Sequence, residues 1–232
     1  AWLIAAILSG ANLLCAQTPT RQQALALEQQ GQNAEAQQLW SSIAQANPHN
    51  PEAFAHLGLL EARQQHYDKA IAFYRQALAL DPNLPGLEMN LGLALFKTNQ
   101  FPAALKPFTA ELHKHPGDSR LIILLGMTHY GMGDYLVAIP YLRRAAEQEP
   151  ENLTLRLTLA HSCLWSKQYQ CVLDTYKQIL ALNAESAEAV MLAGEALDSR
   201  GDKAGATQYF RAAVRANPKE PNVHFGLAYL LW

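Results

Sequence analysis

Charged residues are scarce in this sequence, and neither sign is in clear excess. Asp, Glu, Lys and Arg make up 16% of the 232 residues, with 18 basic and 20 acidic side chains and a formal net charge of −2. Surfaces that bind nucleic acid or anionic membranes need clustered positive charge, so the composition predicts no nucleic-acid partner. Half of the residues are hydrophobic, which excludes a disordered chain.

The sequence also lacks the short motifs of common catalytic and cofactor-binding sites. It contains neither a GxSxG nucleophile turn nor an HExxH zinc motif. Gly126, Gly131 and Gly133 resemble a phosphate-binding loop, but no predicted strand precedes them. His113 and His115 have no acidic or cysteine partner at ligand spacing, and we interpret them as solvated loop residues. We therefore expect no enzyme activity, no cofactor and no small-molecule substrate.

The first residues form a hydrophobic stretch that is too short to span a bilayer. Residues 1–16 carry no charge, whereas a membrane-spanning helix needs about 20 apolar residues. Such a stretch is typical of the hydrophobic and cleavage regions of an export signal. We predict a partial export signal over 1–16 and a periplasmic or secreted protein. The alternative is an uncleaved signal that anchors the chain, which would be its sole membrane contact.

Cysteine is rare, with three residues in the chain. Cys15 would leave with the signal, so Cys163 and Cys171 remain as a pair. An oxidising compartment would allow them to form a disulfide. The repeat described next places Cys163 late in one helix and Cys171 early in the following antiparallel helix. Because Cys171 lies one residue before the inward-facing position, the sequence leaves this pairing open.

The dominant feature of the sequence is an internal period of 34 residues. Five prolines follow it at intervals of 34 or twice 34, namely Pro48, Pro82, Pro116, Pro150 and Pro218. An accidental period would not hold further series in fixed phase with the prolines. Two series of small residues do so. The first consists of Ala24, Gly58, Gly92, Gly126, Ala160, Gly194 and Ala228. The second consists of Ala36, Ala70, Ala104, Ala138, Val172 and Ala206.

A single unit, residues 51–84, shows two amphipathic helices. Apolar and small residues at three- and four-residue spacing mark one face of each helix, and the Asp81-Pro82 pair ends the second. The unit resembles a tetratricopeptide repeat, whose pattern it matches at Phe54, Leu57-Gly58, Tyr67, Ala70, Tyr74, Ala77 and Pro82.

The resemblance implies an all-α fold, a right-handed superhelical solenoid of antiparallel helix pairs. We place six repeats over residues 17–220, at 17–50, 51–84, 85–118, 119–152, 153–186 and 187–220. Residues 221–232 then form the first helix of a truncated seventh repeat. The first repeat is a weak match, with Thr20 and Gln23 where apolar residues are expected. The fifth is also weak, with Arg156, Val172 and Ala184 at signature positions.

In this family the first helices line a concave face, to which the second, fifth, ninth and twelfth positions of each unit contribute. By resemblance these positions predict an apolar groove rich in methionine and aromatic residues. Some family members bind a carboxylate at this face with basic and amide side chains. In this sequence the matching positions are mostly apolar, and only Asn90 and Arg120 carry such side chains. The predicted protein-binding residues are Leu59, Met89, Leu93, Phe96, Ile123, Met127, Tyr130, Leu157, His161, Leu164, Trp165, Met191, Phe225 and Tyr229.

These features predict a scaffold or adaptor that binds a peptide or protein segment in the groove. Two alternatives stay open. The chain is an N-terminal recognition arm of a larger enzyme, such as a glycosyltransferase or a protease. Or it is a structural subunit that self-associates through its ends. A further reading, that the apolar strip is ordinary core between tightly packed helices, competes with all three.

Overall fold

The computed structural model describes residues 20–231, except the side chain of residue 222. The predicted export signal over 1–16 lies outside this range. Between residues 20 and 231 the chain forms thirteen α-helices and no strand. They are α1 (Arg21–Gln29), α2 (Asn33–Ala46), α3 (Pro51–Arg63), α4 (Tyr67–Leu80), α5 (Leu87–Lys97), α6 (Phe101–Lys114), α7 (Ser119–Met132), α8 (Tyr135–Gln148), α9 (Leu153–Trp165), α10 (Tyr169–Leu182), α11 (Ala187–Ser199), α12 (Lys203–Ala216) and α13 (Pro221–Leu231).

The helices form antiparallel pairs that stack into a solenoid. Each helix packs against the helix before it and the helix after it, and some successive first helices, such as α9 and α11, also touch. The second helices begin at intervals of 34 residues, at Asn33, Tyr67, Phe101, Tyr135, Tyr169 and Lys203. The predicted fold class is confirmed. None of these helices is long and apolar enough to cross a membrane, over the residues that the structure describes.

Polar side chains begin several of the first helices. The side-chain oxygens of Asn50, Asn152 and Ser186 each accept a hydrogen bond from a backbone N–H three residues later, at 3.2 to 3.3 Å. Such caps satisfy N–H groups that have no partner inside the helix. Helix α5 begins at Leu87, two residues inside its predicted repeat, because Gly86 adopts a left-handed conformation before it (φ 72°).

The turn within each helix pair contains one residue with a left-handed backbone. Six such residues recur every 34 positions, with φ between 57° and 85°. Residues other than glycine incur a steric penalty in this conformation, because their Cβ atom lies too close to the following carbonyl oxygen. Three of the turns use glycine and three do not, and the six residues are Gly31, Gln65, Asn99, Gly133, Lys167 and Gly201.

Small residues of the first helices allow a close approach of the second helices. A Cβ atom on Gly58 would lie 2.5 Å from Cε1 of Tyr74, a ring that is almost fully buried. Sixteen residues separate the two, and the same spacing joins Gly92 to Phe108, Gly126 to Leu142 and Gly194 to Phe210. The period therefore reflects a repeated contact between a backbone and a large side chain.

The hydrophobic core runs along the array between the two helix layers. One cluster includes Trp40, Tyr74 and Phe108, and the next includes Leu142 and Ile179. Leu112 and Tyr141 pack against both clusters, so the core continues from one repeat to the next. The array therefore shares one apolar interior, as expected for a repeat protein in which each unit contacts its neighbours.

The first repeat, a weak match in sequence, is held by polar contacts. Thr20 Oγ1 accepts a hydrogen bond from the Gln23 N–H at 3.2 Å, and the Gln23 side chain accepts one from the Thr20 N–H at 3.3 Å. This reciprocal capping box explains the polar residues at those two positions. Trp40 is buried, donates through Nε1 to Glu28 Oε1 at 2.6 Å, and stacks on His56 with ring centroids 4.3 Å apart.

Cys163 and Cys171 form a disulfide that links α9 to α10, with Cα atoms 5.8 Å apart. Cys163 is fully buried in the core, and Cys171 is partly exposed. Because this bond joins two helices of one pair, it closes a short loop around the turn of the fifth repeat.

We predict that exchanging residues at the turn positions changes stability in opposite directions. Gly31→Ala should lower the free energy of unfolding by about 1 kcal/mol, because a Cβ there meets no atom within 4 Å and only the backbone conformation is strained. Gln65→Gly should raise it by about 0.5–1 kcal/mol. Urea unfolding, monitored by circular dichroism, measures both changes. Gly117→Ala is the control, since a Cβ there meets no atom within 4 Å and the backbone is not left-handed, so this variant should not lose stability. Changes of the same sign in Gly31→Ala and Gln65→Gly would contradict the expectation.

We also predict that Gly58→Ala destabilises the array by about 1–3 kcal/mol, since the new methyl group overlaps the Tyr74 ring. Chemical denaturation provides the measurement, and Gly117→Ala again serves as the control because no atom lies near its added methyl group. Unchanged stability in Gly58→Ala would show that the close contact does not limit packing.

A third prediction concerns alkaline pH. Burial raises the pKa of Tyr74 from 10.0 to about 12, because the phenolate is less stable in the core than in water. The folded protein should therefore lose stability as the pH rises from about 10 towards 12, where the unfolded chain releases this proton more readily. Tyr74→Phe should raise the pH midpoint of alkaline unfolding, whereas Tyr229→Phe, on the exposed last helix, should leave it unchanged.

Candidate binding surface on the first helices

The predicted groove residues, Leu164 excepted, lie partly or fully exposed along the first helices, and we call this surface the first-helix face. Trp165 at the end of α9 is 48% exposed, and Phe225 and Tyr229 on α13 are 75% and 67% exposed. The other members are half-buried, and they are Leu59, Met89, Leu93, Phe96, Ile123, Met127, Tyr130, Leu157, His161 and Met191.

Leu164 is the exception among the predicted groove residues. Its side chain is only 6% exposed, and it belongs to the core cluster that contains Leu159 and Cys163. The helix turns it towards the interior, so its surface is taken by packing and the prediction that it lines the groove is wrong. Its neighbour Trp165 carries the exposed apolar surface at this point of the array.

The half-buried residues of the first-helix face contact both the hydrophobic core and the solvent. Eight of them also pack against the hydrophobic core, which agrees in part with the interpretation of the strip as core. The remaining exposed part of each side chain forms the surface. These eight are Met89, Leu93, Phe96, Ile123, Met127, Tyr130, Leu157 and Met191.

An aromatic cluster occupies the middle of the face, where the ends of α7 and α9 meet the start of α8. The Trp165 ring centroid lies 4.7 Å from Tyr135, 5.8 Å from Tyr130 and 5.1 Å from His161. Tyr130 and Tyr135 meet edge to face at 5.8 Å. Such geometries add to the stabilisation that burial alone provides, so the cluster holds an exposed indole in a defined position.

The same aromatic contact occurs one repeat earlier. Phe96 and Phe101 meet edge to face at 5.5 Å, 34 positions before Tyr130 and Tyr135. The sequence prediction included Phe96 and Tyr130 but missed their partners, because Phe101 and Tyr135 begin second helices and match a consensus aromatic position. The pairing of a twelfth with a seventeenth position in two successive units was the signal that could have revealed them.

One carboxylate reaches the aromatic cluster. Glu188 Oε1, from the start of α11, lies 2.8 Å from His161 Nε2, and about half of the Glu188 side chain is exposed. Burial raises the pKa of Tyr130 above its ordinary value, and Tyr135 and Glu188 add to the shift. The cluster thus presents apolar rings beside a single acidic group.

Two cavities lie between successive first helices at the N-terminal end of the face. One of about 390 Å³ lies between α3 and α5 and is lined by Leu59 and Asn90 among others. The other, of about 470 Å³, lies between α5 and α7 and is lined by Met89, Leu93 and Arg120 among others. These volumes suit one or a few side chains of a bound segment.

Charged groups at the margin of these cavities pair with each other. Arg21 Nε donates to both carboxylate oxygens of Glu52, at 2.7 and 2.8 Å, and this hydrogen bond lowers the pKa of Glu52. Arg120 Nη2 donates to Asp118 Oδ2 at 2.9 Å, which lowers the pKa of Asp118. Because Arg120 is paired in this way, it does not present the free charge that a carboxylate clamp needs.

Within residues 20–231 no group of three or more His, Cys, Asp or Glu side chains could hold a metal ion. The prediction for His113 and His115 needs a correction, since His113 lies in the last turn of α6 and His115 follows directly as its C-cap. His115 also has an acidic neighbour, with Nε2 3.5 Å from Glu111 Oε1. Glu111 lies one turn before His115 on the helix, a spacing that the sequence interpretation overlooked.

A family model described as tetratricopeptide repeat matches residues 61–126 and 129–192, more than half of the chain. A second model with the same description matches residues 21–85 and 173–221. Together they cover most of the region in which the helix pairs recur.

Two curated proteins illustrate the relationship. The chain is 28% identical over 153 residues to a TPR repeat-containing protein of Methanocaldococcus jannaschii, covering 66% of this chain and 27% of that protein. It is 27% identical over 134 residues to protein O-mannosyl-transferase TMTC1 of Mus musculus, covering 56% of this chain and 14% of the mouse protein. The chain therefore spans about a quarter of the first relative and less of the second.

Among solved structures, YrrB is similar with a TM-score of 0.67 and 18% sequence identity, covering 80% of this chain and 96% of YrrB. YrrB is described as a TPR protein with an unusual peptide-binding site. At this identity the likeness concerns the fold. The recurring helix pairs, the contact between small and large residues in each pair and the family models agree, and the chain belongs to the tetratricopeptide-repeat family.

Proposed function

We propose that the first-helix face binds an apolar segment of a partner protein, in extended or helical form. The observation that carries the proposal is the half-exposed strip of methionine, leucine and aromatic side chains from α3 to α11, which includes the exposed Trp165. Methionine and aromatic side chains adapt to varied apolar partners and are enriched at protein interfaces. A contiguous apolar surface of this kind is typical of an interaction site.

The aromatic cluster is the expected anchor of this interaction. Tryptophan and tyrosine dominate the binding energy of many interfaces when well-packed neighbours hold them in place. Trp165 contacts Tyr130, Tyr135 and His161, so its indole needs little ordering when a partner arrives. The cavities beside Leu59 and Met89 would receive further apolar side chains of the same segment.

We further propose that the chain acts as a non-catalytic adaptor that is exported to the periplasm or the exterior. A non-catalytic adaptor agrees with the repeat fold, and the peptide-binding site named for YrrB supports a peptide or protein ligand. Export to the periplasm or the exterior is supported by the Cys163–Cys171 disulfide, since such bonds persist in oxidising compartments.

A second candidate is a recognition arm within a larger protein. It is favoured by the similarity to a protein O-mannosyl-transferase, of which the match covers only 14%. Repeats in such an arrangement would position a protein substrate through the same first-helix face. Self-association is a third candidate, favoured by the exposed side chains of Phe225, Tyr229 and Leu231 on α13.

We predict that Trp165→Ala and Met89→Ala each weaken peptide binding. Peptides of about twelve residues, selected by phage display on the full chain, provide the ligands, and fluorescence anisotropy of labelled peptides measures their affinity. Loss of the Trp165 anchor should weaken binding about thirtyfold, the effect of a hot-spot residue of about 2 kcal/mol. Met89→Ala should weaken binding less, because part of its side chain stays in the core.

Leu182→Ala is the matched control, since Leu182 is an apolar side chain on second helix α10 with 41% exposure. It should leave peptide affinity within twofold of the parent protein. Circular dichroism establishes that each variant remains folded. Peptides that bind Trp165→Ala and Met89→Ala as tightly as the parent protein would contradict the assignment of the ligand to this face.

A further inference from the structure

Another cavity, distinct from the two on the first-helix face, lies between the fourth and fifth repeats. It has a volume of about 470 Å³ and is enclosed by α8, α9 and α10. Its wall combines apolar side chains, such as Leu159 and Ala146, with two arginines, Arg143 and Arg156. Two acidic residues, Glu147 and Asp174, also line it.

Arg156 is the unusual member of this wall. It occupies the position at which the second repeat has the buried Phe54. Arg156 is also buried, with only 9% of the residue exposed. Its Nε and Nη1 atoms are buried and form no hydrogen bond within the described part of the chain. Buried guanidinium groups are almost always paired with an anion or with several acceptors. Arg156 therefore carries a charge that residues 20–231 compensate incompletely, since two of its buried N–H groups have no acceptor.

The other polar groups of the wall do not provide that compensation. Asp174 Oδ1 accepts a hydrogen bond from Gln170 Nε2 at 3.1 Å and lies 3.9 Å from Lys177 Nζ. Thr175 donates its hydroxyl proton to the Cys171 carbonyl at 2.8 Å. Among residues 20–231, no carboxylate oxygen lies within ion-pair distance of Arg156.

Arg143 places a second guanidinium at the same cavity. Its Nη2 lies 3.8 Å from Cys171 Sγ, the half of the disulfide that lines the wall, and no acidic side chain among residues 20–231 pairs with it. Because Cys163 and Cys171 tie α10 to α9, the disulfide holds this wall against the helix that carries Arg156.

We propose that this cavity binds a carboxylate through Arg156 and Arg143. Guanidinium groups match the planar carboxylate with paired hydrogen bonds. Two positive and two negative side chains line the cavity, so a singly charged carboxylate is better accommodated than a phosphate dianion, which Glu147 and Asp174 would repel. Leu159 and Ala146 would contact the hydrocarbon part of the ligand.

Such a carboxylate has two sources, the C-terminus of a peptide or a small free acid. The probes are a tripeptide, acetyl-Ala-Ala-Leu, with a free C-terminus, the same tripeptide amidated, sodium acetate, and inorganic phosphate. Thermal unfolding of the full chain at constant ionic strength reports binding as a rise in Tm. The free tripeptide should raise Tm more than the amidated one. An equal effect of acetate assigns the site to small acids, and a lesser effect assigns it to peptide termini.

Arg156→Met tests the role of the guanidinium, since methionine keeps an unbranched side chain without the charge. We expect this variant to lose the carboxylate-dependent rise in Tm, with an apparent affinity at least tenfold weaker. Its own Tm without ligand should be equal to or higher than that of the parent chain, because a buried unpaired charge is removed. Arg143→Gln should weaken carboxylate binding about threefold to tenfold without changing the unliganded Tm.

Glu147→Gln distinguishes ligand binding from pairing within the chain. If Arg156 is free for a ligand, this variant keeps its Tm and its response to the free tripeptide. Lower unliganded Tm values in both Glu147→Gln and Arg156→Met would show that the two side chains pair with each other and would overturn the proposal. It would also be overturned if carboxylates raised Tm no more than chloride or phosphate, or equally in Arg156→Met. These outcomes are independent of peptide binding at the first-helix face.

Discussion

The stacking of the array depends on one short contact that recurs in four of its six helix pairs. A glycine in the first helix accepts a large side chain from the second helix sixteen residues later, as Gly58 does with Tyr74 and Gly92 does with Phe108. The contact is local in sequence, so each hairpin can form without distant partners, and its repetition at a fixed phase sets the stacking of the whole array. The left-handed residues in the turns repeat with the same period, since the same turn must return the chain to the same contact each time.

The arrangement of the core explains why the binding surface is half-buried. The large side chains of the second helices fill the space between the two layers, and the first helices close it from the other side. Residues such as Met89 and Met127 therefore turn one side to the core and the other to solvent. The same side chains thus serve both core packing and partner binding. Trp165, at the end of α9, differs because it is held by contacts with neighbouring rings such as that of Tyr135 and remains largely exposed.

The fifth repeat departs from the pattern more than the repeats around it. It carries Arg156 at a consensus aromatic position, a disulfide between its helices and a cavity against the fourth repeat. Neighbouring repeats with regular packing can hold such a unit in place, because each unit is stabilised through its interfaces with both neighbours. Local violations of a folding pattern are expected where function requires them, and this unit concentrates the polar groups that the repeat pattern does not explain.

The all-α class and the helix pairs follow from the sequence alone, because a strict period of 34 residues leaves one register for small, aromatic and proline positions. The sequence also predicted most of the first-helix face from position in the repeat. Which side chains remain exposed depends on packing in three dimensions: Leu164 turns inward, while Tyr135 from second helix α8 and Glu188 from first helix α11 join the surface. The pairing of Cys163 with Cys171 and the unpaired state of Arg156 also required the structure, since each depends on the distances between helices that the period alone does not specify.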